Sequence, residues 1–397
     1  MDYEIVKLKE IADFNKESIG KNSNYEFINY LDTANITNGA IDTVVRIPIE
    51  EAPSRAKRIV HNNDIVYSTV RPNLCHYGIL DSPVENMIVS TGFTVISCKD
   101  DVNPYYVYNY LIQNDITSQL HSIAENSTSA YPSIKPSDLE NIEIKLPKLD
   151  IQNKIAKILT DIDKKIKINN EINNNLHELV KNEYYERFIV NKRDDWKEDT
   201  LGNYLSIDRG LSYKGQFLSD NGVPMINLGN VMPNGVFRIE KNKYYSGDFK
   251  EKVTTKVGDI VLANTDMTQN REVIGTPVIV PPIYDGKIIF SHHIYCLRDL
   301  KLPKMFIFYT LLTDDWNAAA GGNATGTTVL ALPKNTIENY IITIPDNESL
   351  AIFDNIATSI QEKRELIILE NIKLEELRDT LLPKLMNGEI DLDNIEI

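Results

Sequence analysis

Two stretches of the chain carry arginine, amide and hydroxyl side chains directly after a short hydrophobic run. The stretch in the N-terminal half contributes Ser68, Thr69, Arg71 and Asn73. The stretch in the C-terminal half contributes Thr265, Gln269, Asn270 and Arg271. Arginine suits guanine edges or phosphates, and asparagine and glutamine suit adenine edges. These residue types predict DNA contacts, although a solvated hairpin turn would have the same composition.

Basic side chains form two further candidate DNA contacts. One is a cluster near the first stretch that consists of Arg55, Lys57 and Arg58. The other combines lysines with an aromatic residue and consists of Lys241, Lys243 and Tyr244. Lysine contacts phosphate and positions a domain without specifying a sequence. A soluble surface loop is the alternative explanation.

Small hydroxyl, amide and glycine residues form a third pair of stretches. The first supplies Ser127, Thr128 and Ser129. The second, which includes three glycines, supplies Asn323, Thr325 and Thr327. Glycine lets a backbone approach closely, and hydroxyl groups can bond phosphates. A purely structural turn would also fit both stretches.

Catalytic and cofactor signatures are missing from the sequence. It contains no GxxxxGK[ST] or GxGxxG motif and no glycine-rich loop of the kind that holds S-adenosylmethionine. Asp138, Glu143 and Lys145 imitate a nuclease set, but period-2 alternation favours an ordinary half-exposed strand. His292 and His293 could ligate a metal, but we expect adjacent side chains of a strand to point to opposite faces. We therefore expect no catalytic residues and no metal site.

The candidate residues lie in two copies of one sequence plan. Asn63–Val66 matches Gly258–Val261 at an offset of 195, and Leu139–Pro147 matches Ile337–Pro345 at an offset of 198. In both copies a strand that ends in proline then leads into a long helical pattern. The nearly equal offsets indicate a duplicated domain.

Each copy has a mixed pattern of strands and helices. β-Branched runs predict strands at Ile88–Ile96 and Lys287–Leu297. Amphipathic spacing predicts helices at Tyr105–Gln119 and Lys304–Ala320. We expect Asn103 and Pro104 to start the first of these helices. Each copy is therefore predicted to be an α+β (α/β) domain.

Two long helical segments follow the two copies. Apolar residues recur at 3-4 spacing from Ile155 to Leu179 and from Phe353 to Leu381, which predicts a coiled coil. Residues 148–193 have a formal charge of +3 and residues 346–397 one of −8, which favours their pairing with each other. Both pairing directions are possible, and antiparallel is favoured. Two independent surface helices, or a local break at Asn169–Asn175, are the alternatives.

The composition is that of a globular protein with an acidic balance. The chain has 397 residues, three scattered cysteines and a formal charge of −15, so a DNA-binding surface must be a local basic patch. Sparse cysteines fit a reducing cytoplasm. We expect no membrane segment, because no stretch approaches about 18 uninterrupted apolar residues.

Essentially the whole chain resembles the specificity (S) subunits of type I restriction-modification systems. The resemblance rests on the doubled layout, the segment from Asp64 to Pro72, and the paired Ser/Thr/Gly stretches before a final strand. Its strongest feature is the helix opening from Pro147 to Leu159, which follows Pro-x-x-x-x-Gln-x-x-Ile-x-x-Ile-Leu. The second helix departs from this pattern at Leu350 and Ala357, which puts the equivalence of the two helix surfaces in doubt.

The resemblance implies two similar target-recognition domains separated by two long helices that pack as an antiparallel coiled coil. The predicted boundaries are 1–147 for the first recognition domain, 148–193 for the first helix, 194–345 for the second domain and 346–397 for the second helix and tail. Each domain would read one half of a split site in double-stranded DNA.

The family also implies partners. The helices would set the spacing and dock two methyltransferase subunits, and motor-nuclease subunits would complete the complex. S-adenosylmethionine, ATP and Mg²⁺ would bind only to those partners, and this chain would need no cofactor. The alternatives are a subunit of a methylation-only or type II-like system, or a coiled-coil scaffold that does not bind DNA.

Overall fold

The computed structural model describes residues 2–20, 24–127, 131–268 and 270–392, and the chain divides into two compact units. Unit 1 comprises Met1–Lys167 and Lys373–Ile397, and unit 2 comprises Ile168–Ile372. Each unit therefore contains one copy of the repeat and a part of both long helices. The four boundaries given by the sequence stay a prediction.

Unit 1 is built on two four-stranded sheets with short helices beside them. Its strands are β1 (Tyr3–Lys7), β2 (Ala12–Phe14), β3 (Phe27–Leu31), β4 (Ile36–Thr37), β5 (Ala40–Ile41), β6 (Val45–Pro48), β7 (Ala56–Ile59), β8 (Ile65–Ser68), β9 (Tyr77–Ile79), β10 (Met87–Ser90), β11 (Phe93–Cys98) and β12 (Glu143–Pro147). Its helices are α1 (Leu8–Ile11), α2 (Pro104–Leu111), α3 (Asn114–Glu125), α4 (Pro136–Glu140) and the first part of α5 (Leu149–Tyr185). The sheet orders are β6-β3-β10-β7 and β2-β11-β8-β9, and β1 pairs with β12.

The core of unit 1 lies between the second sheet, helices α2 and α3, and the start of α5. Fully buried side chains from each element meet there, including Ile65, Tyr106, Leu120 and Ile155. Gln152 on α5 is also buried, and its Oε1 accepts the amide of Asn103 at 2.9 Å. The glutamine of the helix-opening motif therefore joins α5 to the start of α2.

Unit 2 repeats this plan. Its strands are β13 (Lys197–Thr200), β14 (Ser206–Arg209), β15 (Leu218–Ser219), β16 (Val223–Ile226), β17 (Lys243–Tyr245), β18 (Thr254–Thr255), β19 (Ile260–Ala263), β20 (Thr265–Asp266), β21 (Pro277–Ile279), β22 (Ile288–Phe290), β23 (Ile294–Arg298), β24 (Leu330–Ala331) and β25 (Ile341–Ile344). Its helices are α6 (Lys304–Thr310), α7 (Asp314–Asn323), α8 (Lys334–Glu338) and part of α9 (Asn347–Met386). The sheet orders are β14-β23-β19-β21 and β15-β17-β16-β22-β18.

Strand pairing confirms the internal repeat. In unit 1, β11 lies between β2 and β8, and in unit 2, β23 lies between β14 and β19. Strand β10 runs parallel to β3 and antiparallel to β7. In the same way, β22 runs parallel to β16 and antiparallel to β18. The mixed α+β class predicted from the sequence is therefore confirmed, with equivalent central strands in both units.

Two predicted strands and two predicted helices are each divided in the structure. The run Ile88–Ile96 forms β10 and β11 in different sheets, and the run Lys287–Leu297 forms β22 and β23. Helix α2 starts at Pro104 as predicted, because the Asn103 side chain accepts the amides of Tyr105 and Tyr106. A second cap interrupts the C-terminal helical pattern, where Thr313 accepts the amide of Trp316 and starts α7.

The two long helices run antiparallel within each unit. In unit 1, Asp163 on α5 accepts from Arg378 on α9 at 3.0 Å, and Lys154 bonds the carbonyl of Leu392. In unit 2, the Asn169 amide donates to Glu370 and Asn371, each at 2.8 Å. Increasing numbers on α5 thus meet decreasing numbers on α9, as predicted.

Helix α5 continues without a break through the asparagine tract Asn169–Asn175, where a layer of buried polar side chains bonds it to α9. Asn371 donates to Asn170 at 2.8 Å, and the Arg364 Nε donates to Asn173 at 2.9 Å. Asn169 and Asn371 are buried although both are polar. The alternative of a local break is therefore wrong, because α5 is one helix from Leu149 to Tyr185 and these bonds to α9 offset the poor helix propensity of asparagine.

The buried face of the helices differs from the predicted apolar seam. Ile172 and Leu179 are exposed, whereas Val180 and Tyr184 are buried and belong to the core of unit 2 with Phe353. An α-helix has 3.6 residues per turn, so its contact face drifts away from a 3.5-residue frame. Packing on the domain, as well as on the other helix, selects the buried positions.

His177 makes the stability of unit 2 depend on pH. Burial, together with the charge of Arg364, lowers the pKa of His177 to about 4, although the histidine also bonds the carbonyl of Asn234. The unfolded value is about 6.5. Because the pKa of His177 is lower in the folded than in the unfolded chain, the stability that neutral His177 contributes is fully present above pH 6.5. It is lost as the pH falls towards 4.

We expect His177→Gln to remove this part of the pH dependence. Between pH 7 and pH 4.5 the original chain should lose about 2 kcal/mol more stability than the variant, as measured by urea unfolding. Other groups titrate equally in both proteins. The same loss of stability in both proteins would contradict a buried, neutral His177.

Candidate nucleic-acid interface

Backbone hydrogen bonds join two of the predicted stretches of unit 1 at the end of strand β8. The carbonyl of Thr69 accepts the amide of Ile134, and the amide of Arg71 donates to the carbonyl of Pro132 at 2.9 Å. Val70 pairs with Ser133 between these bonds. The polar turn after β8 and the end of the Ser/Thr stretch therefore form one surface.

The basic cluster of unit 1 reaches this surface through the loop between β10 and β11. The carbonyl of Arg55 accepts the amide of Thr91, and the carbonyl of Gly92 accepts both the amide and the hydroxyl of Thr69. The Arg55 guanidinium lies 3.3 Å from Asp32. Lys57 is exposed on strand β7, which begins directly after Arg55.

Arg71 has an unusual backbone conformation and an aromatic neighbour. Its φ of 48° places it in the left-handed region, and its guanidinium carbon lies 5.3 Å from the centroid of the Tyr131 ring. Arg71 and Asn73 are exposed, and the Ser127 hydroxyl accepts the amide of Ser133 at 3.4 Å. The predicted contacts Thr128 and Ser129 lie outside the described residues.

Unit 2 has the same backbone connections at the end of β19. Thr265 pairs with Ala331, and Asp266 pairs with Leu330. The carbonyl of Asn264 accepts the amide of Leu332 at 2.8 Å. At the offset of 195, Thr265, Asp266 and Asn264 correspond to Val70, Arg71 and Thr69. The same positions therefore make the backbone contacts in both units.

One buried carboxylate holds the loop that follows β20. Asp266 accepts the amide of Thr268 at 2.6 Å, that of Val273 at 2.7 Å and that of Ile274 at 3.1 Å. The loop exposes Asn270 and Arg271, and Asn270 donates to Glu272. Gln269 lies outside the described residues.

Arg271 joins this loop to the glycine-rich stretch. Its φ is 57°, and its Nη1 atom donates to the carbonyl of Gly321 at 2.6 Å. The Asn323 side chain donates a hydrogen bond to a backbone carbonyl in the last turn of α7. Thr325 exchanges backbone hydrogen bonds with Ala331, and Thr327 is exposed. The structure therefore brings the two predicted stretches of unit 2 together, as in unit 1.

The lysine cluster of unit 2 lies on β17 and the turn before it. Lys241, Lys243 and Tyr244 are exposed. The charge of Lys243 contributes to a lowered pKa of His293, after burial, His292 and Arg209. His293 in turn bonds the Thr265 hydroxyl at 2.8 Å, so this cluster borders the same surface.

Known proteins are similar to this chain in sequence and in fold. Residues 1–178 match the family model described as the type I restriction modification DNA specificity domain. The chain is 23% identical to the HindI type I restriction enzyme specificity subunit of Haemophilus influenzae, over 92% of this chain and 95% of that one. It is 25% identical to the MjaIX specificity subunit of Methanocaldococcus jannaschii, over 99% and 95% of the two chains.

The chain is thus similar in sequence to specificity subunits of type I restriction-modification systems over more than nine-tenths of its length. Its fold is similar to a crystal structure of the S subunit from M. genitalium, with a TM-score of 0.55 and 13% identity. That similarity covers 97% of this chain and 96% of the other. The two similar domains and the antiparallel helices expected from the resemblance correspond in fold to the units and helices described above.

Three predicted contact residues are less accessible than the sequence suggested. Ser68 and Thr265 are buried; Ser68 bonds the backbone of Val70, and Thr265 bonds His293. Arg58 is half-buried, with its Nε buried and burial lowering its pKa. Strand burial extends further than the hydrophobic run, so Ser68 and Thr265 have little exposed surface and bond groups in their own turns.

Sequence reasoning missed three residues at the interface of unit 2. Arg209 is exposed on β14, and its Nε lies 3.4 Å from the carbonyl of His292. His292 and His293 occupy the turn between β22 and β23, and their ring centroids are 3.9 Å apart. The expectation that these rings point to opposite faces is wrong, because the residues are not on a strand.

The nuclease-like and metal-like patterns have structural explanations. Asp138 accepts the amide of Lys135 at the start of α4, and Lys145 donates to Asn387. No group of three or more His, Cys, Asp or Glu residues that could hold a metal occurs in the described residues. No helix in the described part of the chain is long and apolar enough to cross a membrane.

We expect Asp266→Ala to destabilise the chain by about 3 kcal/mol, because three backbone amides lose a charged acceptor. Urea unfolding measures the loss, and trypsin should then cleave faster after Arg271. Asp285→Ala is the control, because Asp285 is an exposed aspartate of the same unit. Equal stability of the two variants would show that the carboxylate does not hold the loop.

Proposed function

We propose that this chain selects the DNA sequence for a type I restriction-modification complex, and that each unit reads one half of a bipartite site. One observation supports this most strongly. Both units join the turn after a buried strand to the segment at the end of the Ser/Thr/Gly stretch by matching backbone bonds, but they carry different polar side chains. A shared scaffold with different side chains suits two readers of different sequences.

The side chains at each surface fit different parts of DNA. Arg71 is exposed on a fixed backbone, and arginine pairs in bidentate fashion with guanine. Asn270 suits an adenine edge, and Lys241 and Lys243 suit phosphates. Because the chain has a formal charge of −15, these basic groups are local patches, and we expect weak binding to unrelated DNA.

The helices are proposed to set the spacing of the half-sites and to dock two methyltransferase subunits. Within unit 2 they expose large apolar side chains, among them Leu179 on α5 and Leu366 on α9. Exposed apolar side chains on paired helices suit a protein partner. Motor-nuclease subunits would join the same complex.

We propose that the chain itself has no active site and binds no cofactor. In this proposal the methyltransferase subunits bind S-adenosylmethionine and methylate adenine, and the motor-nuclease subunits bind ATP and Mg²⁺. The purified chain should transfer no methyl group to DNA. Stoichiometric methylation by this chain alone would contradict the proposal.

Exchange of residues 195–345 for the same region of a relative should change only one half of the recognised motif. The reason is that each unit has its own loops at its own surface. The chimaera would be expressed with the methyltransferase subunits, and methylated adenines would be mapped in the genome. Changes in both halves of the motif would mean that the units do not read DNA separately.

Arg71→Ala should weaken binding to the specific site by about 1–3 kcal/mol and relax one base position of the first half. Arg46→Ala is a matched control, because Arg46 is also an exposed arginine stacked on an aromatic ring, 3.7 Å from the Phe27 centroid. Binding would be measured by fluorescence anisotropy at several salt concentrations. An equal loss on all sequences with a smaller salt slope would assign Arg71 to phosphate, and unchanged binding would remove it from the interface.

A further inference from the structure

The turn between β22 and β23 of unit 2 carries His292 and His293 where unit 1 has Thr91 and Gly92. Both turns start after a fully buried serine, Ser90 in unit 1 and Ser291 in unit 2. The amide of Asn264 donates to the carbonyl of His293, as the amide of Thr69 donates to that of Gly92. The repeat thus keeps the backbone and replaces two small residues with two imidazoles.

The histidine turn is held from both sides. The carbonyl of His292 accepts the Asn264 side chain at 3.0 Å and the Arg209 Nε at 3.4 Å, and its amide donates to Leu211. Gly210 packs so closely that a Cβ there would lie 2.2 Å from the carbonyl oxygen of Ser291. A turn fixed in this way presents its side chains in one arrangement, as recognition of a base requires.

The two imidazoles have unused hydrogen-bonding capacity. The Thr265 hydroxyl occupies Nδ1 of His293, so Nε2 is the nitrogen available to a ligand. The Nδ1 atom of His292 is buried and has no hydrogen-bond partner among the described residues.

Cationic side chains flank the pair. Arg209 and Lys243 are exposed, and after burial and His292 their charges lower the pKa of His293. His293 is therefore neutral at pH 7, and a neutral imidazole can both donate and accept a hydrogen bond. Arg209 and Lys243 suit the phosphates on either side of a contacted base.

We propose that His292 and His293 contact base edges in the half-site that unit 2 reads, and that Arg209 and Lys243 hold the adjacent phosphates. This inference rests on the proposed function. It adds a pair of specificity-determining residues that unit 1 does not have, so the two surfaces would differ in how they recognise DNA as well as in which bases they recognise.

The test transplants the unit 1 residues into unit 2 as His292→Thr with His293→Gly. Neither histidine has a positive φ, so both replacements fit the backbone. The variant, with its methyltransferase subunits, should lose about tenfold to a hundredfold affinity for the specific duplex and accept other bases in the second half of the motif only. His61→Ala is the control, because His61 is an exposed histidine of unit 1 before β8.

The outcomes separate this inference from the proposed function. Failure of the unaltered complex to methylate any bipartite motif would overturn the proposed function. A bipartite motif that the double variant leaves unchanged would overturn only the histidine contacts, as would an equal loss of affinity on all sequences. If the double variant does not fold, His293→Gln replaces it, and an unchanged motif with that variant is equally contradictory.

Discussion

The candidate interface of each unit depends on one backbone hydrogen bond, donated to the carbonyl of the residue that follows a buried strand. Ile134 donates to Thr69 in unit 1, and Leu332 donates to Asn264 in unit 2, each at 2.8 Å. This bond brings a late segment of the repeat back to the end of a central strand. Because backbone groups make it, the side chains around it can differ while the surface keeps its shape. Under the proposed function, that separation of scaffold from side chains lets two copies of one domain recognise different sequences.

The buried polar layer between α5 and α9 addresses a different requirement. Apolar residues alone permit several helix registers, whereas asparagines that must bond each other favour one register. Asn169 and Asn371 meet this condition in unit 2. The charged guanidinium of Arg364 adds a hydrogen bond, which it donates to the side-chain oxygen of Asn173. Such a layer costs stability compared with an apolar seam. The expected gain is a defined register in helices that are proposed to set a distance.

Much of this organisation could be predicted from the sequence, because it repeats. The similar offsets predicted two similar domains, the apolar period predicted the long helices, and their opposite charges favoured their pairing with each other. The joined stretches of each surface agreed in their placement within the repeat. The inward direction of Ser68 could not be predicted, because strand β8 is buried on both faces and has no alternation that marks its end. Arg209 was missed because its place at the surface depends on β14 pairing with β23, a contact between distant segments.

The central claim is that one chain carries two separate reading surfaces. The most direct test is to express the chain with its methyltransferase subunits in a host without other adenine methylation and to map every methylated adenine by single-molecule sequencing. The account predicts one motif with two different specific halves and a spacer of fixed length and unspecified sequence. A single continuous motif, or two identical halves, would contradict it.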